Sequence, residues 1–256
     1  DMVRGRCHYR AENLSDPVVI REDGSYLYHL PSVIDDIDFS ITHIVRGEDH
    51  VTNTASQIRM FEAVGGAVPV FAHLPLLTGK EGKLSKRLGS IGVADLRAEG
   101  IEAMAICSYL AKLGTSEAIE PYADLRVLAE SLDFDKLGRA QPKFCEQDLQ
   151  HFNTRLVRSL DYQAVRDRVE VDEAFWNAVR GNLTVLKDIE VWQAICQKPV
   201  MPVIEDKSLT DAAAALLPPE PWDEETFKNW IEQIKQQTGR KGKDLFHPLR
   251  KAITAM

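Results

Sequence analysis

The hydrophobic period of this chain changes near Val93, and that change restricts the folds open to it more than any composition figure does. Before this point Thr42 to Val45 is a short β-rich run. Ile58, Met60, Phe61 and Val64 then recur at helical spacing behind a polar Thr52-Asn53 start, and Val70 to Leu77 is apolar again. Strand, helix, strand is the α/β crossover unit, and such crossovers build parallel sheets. Upstream, Val18-Val19-Ile20 and Tyr26-Leu27-Tyr28 flank Asp23-Gly24-Ser25, the pattern of a hairpin whose turn takes positive φ. Asp1-Met2-Val3-Arg4-Gly5 also reads as a strand. After Val93 only helical periodicity remains. It covers Glu102 to Leu113 with Gly114 as C-cap, then Leu125 to Leu132, Gln147 to Leu160, Tyr162 to Val169, Glu173 to Val179, Asn182 to Cys196, Leu209 to Leu217 and Glu224 to Gln236. Asp223-Glu224-Glu225 supplies the last of these with an N-cap and an acidic first turn. The expected fold class is therefore an α/β half followed by an all-α remainder.

In parallel sheets ligands collect at the carboxyl ends of strands, where Arg46 and the loop Gly79 to Arg87 would emerge. That loop reads Gly79-Lys80-Glu81-Gly82-Lys83-Leu84-Ser85-Lys86-Arg87. Its glycines let backbone approach a phosphate closely, and Lys83 and Lys86 are compact, donor-rich charges suited to phosphoryl oxygens. Taken alone, the same stretch is also an ordinary solvated basic turn. The net charge of −8 argues against a nucleic-acid partner. Charge distribution argues the other way, because Lys235, Arg240, Lys241, Lys243, Arg250 and Lys251 gather in one segment, as a basic patch or a solvated helix end. The four cysteines, Cys7, Cys107, Cys145 and Cys196, lie far apart, so neither zinc spacing nor a disulfide framework is indicated and a reducing cytoplasm is the simplest setting. Asp35 and Asp36 are adjacent, so their side chains diverge, and His29, His43, His50 and His73 are scattered over several elements as surface or hydrogen-bonding histidines, so neither set reads as a metal site. No apolar run approaches the roughly 20 residues that span a bilayer.

The loop does not stand alone. Thr42-His43-Ile44-Val45-Arg46-Gly47-Glu48-Asp49-His50, His73-Leu74-Pro75-Leu76-Leu77, Asp23 to Leu30 and Val33-Ile34-Asp35-Asp36 precede it in an order and spacing that resemble the bacterial glutamyl-tRNA synthetases. These are class I enzymes whose mobile loop reads Lys-x-Ser-Lys-Arg or close to it. The resemblance runs through the whole chain, and Gly239 to Arg250 looks like the opening of the family's last helical domain. Glutaminyl-tRNA synthetases share the catalytic motifs but attach β-barrel domains, for which the helical second half leaves no strands.

The resemblance implies three regions: half of a Rossmann-like class I catalytic domain over residues 1–95, a helical stem-contacting connector over 96–160, and a helical anticodon-binding region over 161–256. It implies that Lys83, Ser85 and Lys86 are catalytic, closing on the phosphates. Tyr28, Ser32 and Arg46 would bind glutamate, Ser32 standing where many members carry Asn. His73, Leu76, Leu77 and Lys86 would bind ATP, and Arg240, Lys241, Lys243 and Arg250 would bind tRNA. ATP is then a substrate accompanied by Mg2+, and no zinc is expected in this segment. The partners are glutamate and tRNA(Glu), with tRNA(Gln) left open, for a cytoplasmic monomer without membrane contact. The family's His-x-Gly-His-type motif does not precede Asp1, so a carboxy-terminal fragment unable to activate glutamate alone is expected. Two other readings stay open: a tRNA-binding module without catalysis, and a pantothenate-synthetase-like nucleotidyltransferase, which explains the Arg46 segment and the helical extension less well.

Overall fold

A computed structural model of the chain describes residues 1–14, 16–79, 82–83 and 92–255. It divides into two compact units, residues 1–186 and 187–256.

The first unit is built on the crossover that the hydrophobic pattern predicts. Strand β1 (His43–Gly47) leads through a turn of helix at Glu48–His50 into α2 (Val51–Val64) and back to β2 (Val70–Leu74). The two strands pair in parallel, with His43 opposite Val70 and Gly47 opposite Leu74. Helix α1 (His29–Asp38) precedes them. Its Val33 joins Phe61 of α2 and Phe71 of β2 in a buried cluster, against which Ile37, Ile44, Ile58 and Met60 pack. Each fully buried side chain of this kind contributes roughly 1.5–3 kcal/mol. Gly66 is needed for this close approach, because a Cβ there would lie 2.4 Å from Cδ1 of Ile37.

Two strand expectations are corrected. The hairpin shrinks to one antiparallel bridge, Ile20 to Tyr26. Its turn forms as expected, with Gly24 at φ 80° and the Asp23 carboxylate accepting from the Ser25 N–H at 2.9 Å. The flanking strands do not lengthen because Val18, Ile20 and Tyr26 have no face to bury against and stay exposed. Asp1 to Gly5 is a turn, not a strand. The Asp1 carboxylate accepts from the N–H groups of Val3 at 3.0 Å and Arg4 at 2.8 Å, and Gly5 closes the turn at φ 75°.

The base of the glycine-rich loop is a two-residue ladder, β3 (Thr78–Gly79) with β4 (Gly82–Lys83). Thr78 is tied to the later helical part of the unit, donating to the Pro142 carbonyl at 3.0 Å and accepting from the Phe144 N–H at 2.7 Å. That part contains α3 (Val93–Ala98), α4 (Ala103–Lys112), α5 (Leu125–Glu130), α6 (Glu146–Ser159), α7 (Tyr162–Val165) and α8 (Glu173–Val179). Helix α4 stops at Lys112, Leu113 leaves in extended backbone, and Gly114 follows at φ 86°. The ammonium of Lys112, 4% exposed, is held by Glu117 at 2.8 Å and the Ser131 carbonyl at 2.8 Å.

Two helices are shorter than their periodicity predicts. After Val165 the chain folds back, and the Tyr162 hydroxyl donates to the Val171 carbonyl at 2.9 Å. Leu183 and Thr184 stay out of helix because side chains claim their carbonyls: Arg158 donates to Leu183 and Asn153 to Thr184, each at 2.9 Å.

The second unit holds α9 (Asp188–Gln197), α10 (Lys207–Ala215), α11 (Glu224–Thr238) and α12 (Lys243–Thr254). Leu209, Ala213, Trp230, Ile231, Ile234, Leu245 and Leu249 form its core. Asp223 caps α11 as predicted, accepting from the Thr226 N–H at 2.7 Å, and Gly239 ends it at φ 68°. Among the described residues, no helix is long and apolar enough to cross a membrane.

Candidate active site

Arg46 is the penultimate residue of β1, at the carboxyl end of the parallel pair, and its side chain is held over the face of Phe71, 5.5 Å from the ring centre. Its guanidinium meets a set of acceptors supplied mainly by α2. Nη2 donates to Thr54 Oγ1 at 2.6 Å and to Gln57 Oε1 at 2.6 Å, with the His50 carbonyl at 3.5 Å. Nε donates to His73 Nε2 at 3.2 Å. Burial pulls the Arg46 pKa down, while Tyr28, Asp36 and Asp49 push it back up, and an arginine stays charged throughout. No carboxylate among the described residues lies within ion-pair distance of it.

His73, on β2 opposite Arg46, is 1% exposed. An arginine N–H can only donate, so the Arg46 contact requires a lone pair on Nε2 and puts the ring proton on Nδ1, which faces the Asp1 carboxylate. Burial, together with the positive charges of Arg46 and Arg4, lowers the His73 pKa to about 4, which agrees with this neutral tautomer. The Asp1 carboxylate acts in the opposite direction, but protonating Nε2 would break the Arg46 bond. A cavity of about 620 Å³ opens beside the network, lined by Thr54, Phe71 and His73 with Cys7, His8 and Tyr9.

Tyr28 joins the same network at one remove. It is half-exposed at the start of α1, and its hydroxyl accepts from Asn53 Nδ2 at 2.6 Å, an amide that also sits 3.2 Å from His50 Nδ1. Ser32 lies one turn on, its N–H bonded to the Tyr28 carbonyl at 3.0 Å. Burial raises the Asp36 pKa on the same helix, opposed by Arg46 and reinforced by Asp35. Leu76 and Leu77 follow β2, half-buried, and a Leu76 backbone bond to Glu48 helps lower that carboxyl's pKa, after a larger contribution from Gln141. Lys83 lies on β4, whereas Ser85, Lys86 and Arg87 lie outside the described residues. Among the described residues no three His, Cys, Asp or Glu side chains gather as a metal site.

Of the residues singled out in the sequence, the fold brings Arg46, Tyr28 and His73 into one network; His73, expected beside ATP, is instead buried with both ring nitrogens bonded to protein groups, and Thr54 and Gln57 of this network are not among the expected residues. The missed signal is their spacing. Both are polar residues on the inward face of α2, 8% and 3% exposed, where the pattern calls for apolar side chains.

The basic cluster of the second unit is arranged differently. Arg240 forms an ion pair with Asp206, which also caps α10, and Lys251 forms one with Glu205. Lys235 pairs with Glu232 at 3.2 Å. For Lys241, Lys243 and Arg250 there is no ion pair among the described residues.

Residues 1–151 match the family described as tRNA synthetases class I (E and Q), catalytic domain. The chain belongs to that family. A glutamate–tRNA ligase 2 from Methylobacterium sp. (strain 4-46) is 50% identical over 264 residues, covering 100% of this chain and 59% of that protein. The glutamate–tRNA ligase of Azospirillum brasilense is 51% identical over 262 residues, covering 99% and 58%. The crystal structure of a glutamate tRNA ligase from Elizabethkingia meningosepticum CCUG26117, in complex with its amino acid, matches 99% of this chain and 59% of its own, at a TM-score of 0.72 and 24% identity. Glutamate-tRNA synthetase from Elizabethkingia anophelis gives a TM-score of 0.70 at 25% identity, covering 98% and 58%. The chain thus spans about 59% of the length of the relatives it matches. Over residues 1–151, which include the parallel pair, the chain carries the class I catalytic-domain fold.

Proposed function

We propose that the protein takes part in ATP-dependent ligation of glutamate to tRNA(Glu) through a glutamyl-adenylate. The observation that carries this reading is Arg46: in a chain of this family, a guanidinium at a strand's carboxyl end is bonded to neutral acceptors alone, beside the Tyr28 phenol.

Adenylate formation joins a carboxylate oxygen to the α-phosphorus of ATP and expels pyrophosphate. Both reactants are anions, so the protein must align them and offset their charge. Arg46 would meet a glutamate carboxylate through Nη1, since the protons on Nε and Nη2 are already used; this replaces the bidentate grip expected of an arginine. Tyr28 and Ser32 would line the same pocket. Lys83, Ser85 and Lys86 would bind the phosphates, with Leu76 and Leu77 near the adenine. Mg2+ would arrive coordinated by the ATP phosphates and add positive charge there. Residues 96–160 would contact the tRNA stem and 161–256 the anticodon arm, with Lys241, Lys243 and Arg250 meeting phosphates and Arg240 committed to Asp206.

The test is glutamate-dependent ATP–pyrophosphate exchange and tRNA(Glu) charging by the full-length protein. Arg46→Ala should mainly raise the KM for glutamate, and Lys86→Ala should mainly lower kcat. Absence of glutamate-dependent exchange in the wild type would reject the activity, and a pure KM effect of Lys86→Ala would reject its catalytic role.

A further inference from the structure

We infer that Thr54, Gln57 and His73 are positioning residues: they bind Nε and Nη2 of Arg46 with neutral acceptors and so aim Nη1, still carrying full charge, at the substrate carboxylate. The inference rests on the reading of Arg46 as the glutamate-binding group.

Three features of the network point this way. The first is direction. The Thr54 hydroxyl has one proton and two lone pairs, and its other two neighbours, the His50 carbonyl at 3.1 Å and the unprotonated His73 Nε2 at 2.9 Å, can take that proton but not supply one. The oxygen then accepts from Arg46 at 2.6 Å. His73 is fixed in the same sense, with its proton on the Asp1 side and its lone pair on the Arg46 side.

The second is geometry. Thr54 and Gln57 stand three residues apart on α2, so their side chains project from adjacent turns of one face. Both reach Nη2 at 2.6 Å, and His73 reaches Nε from β2 on the other side. A planar guanidinium gripped along one edge from two elements cannot rotate, and its remaining donor nitrogen points in a set direction.

The third is charge. A buried arginine is ordinarily stabilised by a carboxylate, and a carboxylate at any of these three positions would satisfy the same hydrogen bonds. All three are instead neutral. That choice stabilises the fold less, and it leaves a full positive charge for an incoming anion.

The rival account is that the network only fixes α2 against β2. Thr54→Val separates the two, because it keeps the shape and removes the acceptor. If the residues position Arg46, the glutamate KM of the full-length protein rises about tenfold, the usual size for a lost hydrogen bond to a charged group. The KM for ATP stays unchanged, Thr54→Ser restores the glutamate KM, and Thr54→Val adds nothing in an Arg46→Ala background. If Arg46→Ala raises the glutamate KM and Thr54→Val does not, the positioning role is overturned while the Arg46 reading stands. If Arg46→Ala itself leaves the glutamate KM unchanged, that reading fails and the inference with it. Long-range proton–nitrogen spectra of the imidazoles in wild-type protein provide a check that needs no variant. His73 should carry its proton on Nδ1, and a proton on Nε2 would remove the acceptor and overturn the proposal.

Discussion

Arg46 in the first unit and Arg240 in the second are both half-buried arginines, and the chemistry of their partners sets them apart. Arg46 is held by a hydroxyl, an amide oxygen, an imidazole and a carbonyl, whereas Arg240 is held by the Asp206 carboxylate. Lys251 follows Arg240, paired with Glu205. Neutral acceptors fix a cation in place without reducing its field, while a carboxylate fixes it and cancels that field. The partners' charge, rather than the number of contacts, thus leaves one cation open to an anion and commits the other to a clamp between elements. Counting basic residues along the sequence cannot distinguish the two.

The largest effect should follow from removing the open charge. Arg46→Ala should lower kcat/KM for glutamate by about a hundredfold or more, since charged hydrogen bonds are lost and the substrate carboxylate is left unpaired. A loss under threefold in steady-state kinetics would break the contrast. The converse change should turn a clamp into a binding group. Glu205→Gln releases Lys251, so tRNA affinity at low salt should rise severalfold and the slope of log affinity against log salt should steepen by about one. An overlaid salt titration would place Lys251 away from RNA whatever its partner.

Acidification should separate the two regions. His73 has a folded pKa of about 4 against 6.5 unfolded, so between these values the unfolded chain binds the proton and the folded chain does not. Stability of the first unit should therefore fall as pH drops from 6.5 towards 4. Glu205 is lowered from 4.5, chiefly by Lys251, so its clamp is complete above that value and is lost only below it. Urea midpoints read by residue-resolved hydrogen exchange should decline first in β1, α2 and β2, and His73→Gln should flatten that decline. The smallest effect is expected at Arg240. Because Asp206 already pairs with it, Arg240→Gln should leave the salt slope of tRNA binding unchanged, whereas Lys243→Gln should reduce it by about one.

Much of this architecture is legible in the sequence because local physics specifies it. The strand–helix–strand unit follows from hydrophobic period, the Gly24 turn from positive φ, and the start of α11 from the Asp223 cap. Hydrophobic pattern misleads where no neighbouring surface exists. Val18 to Ile20 and Tyr26 to Tyr28 have strand composition yet form a single bridge. It also misleads where side chains intercept backbone carbonyls, as Asn153 and Arg158 do near Leu183. Arg46 is visible from the sequence as a charge at a strand's end. Its cradle is legible only in part: Thr54 and Gln57 share the helical row of Ile58 and Phe61, but that they accept from Arg46 follows only once α2 is laid against the sheet. The cancellation of Lys251 by Glu205, 46 residues away, is a purely tertiary fact.

The most direct test converts one kind of cation into the other. Gln57→Glu places a carboxylate on the atom that now accepts from Arg46 Nη2 at 2.6 Å, giving Arg46 the relation to its partner that Arg240 has to Asp206. The substitution adds charge without bulk and keeps the hydrogen bond. The glutamate KM of the full-length protein should rise about tenfold or more, with the ATP KM unchanged and the melting temperature level or higher. An unchanged glutamate KM in that variant would contradict the claim that neutral partners keep the Arg46 charge available.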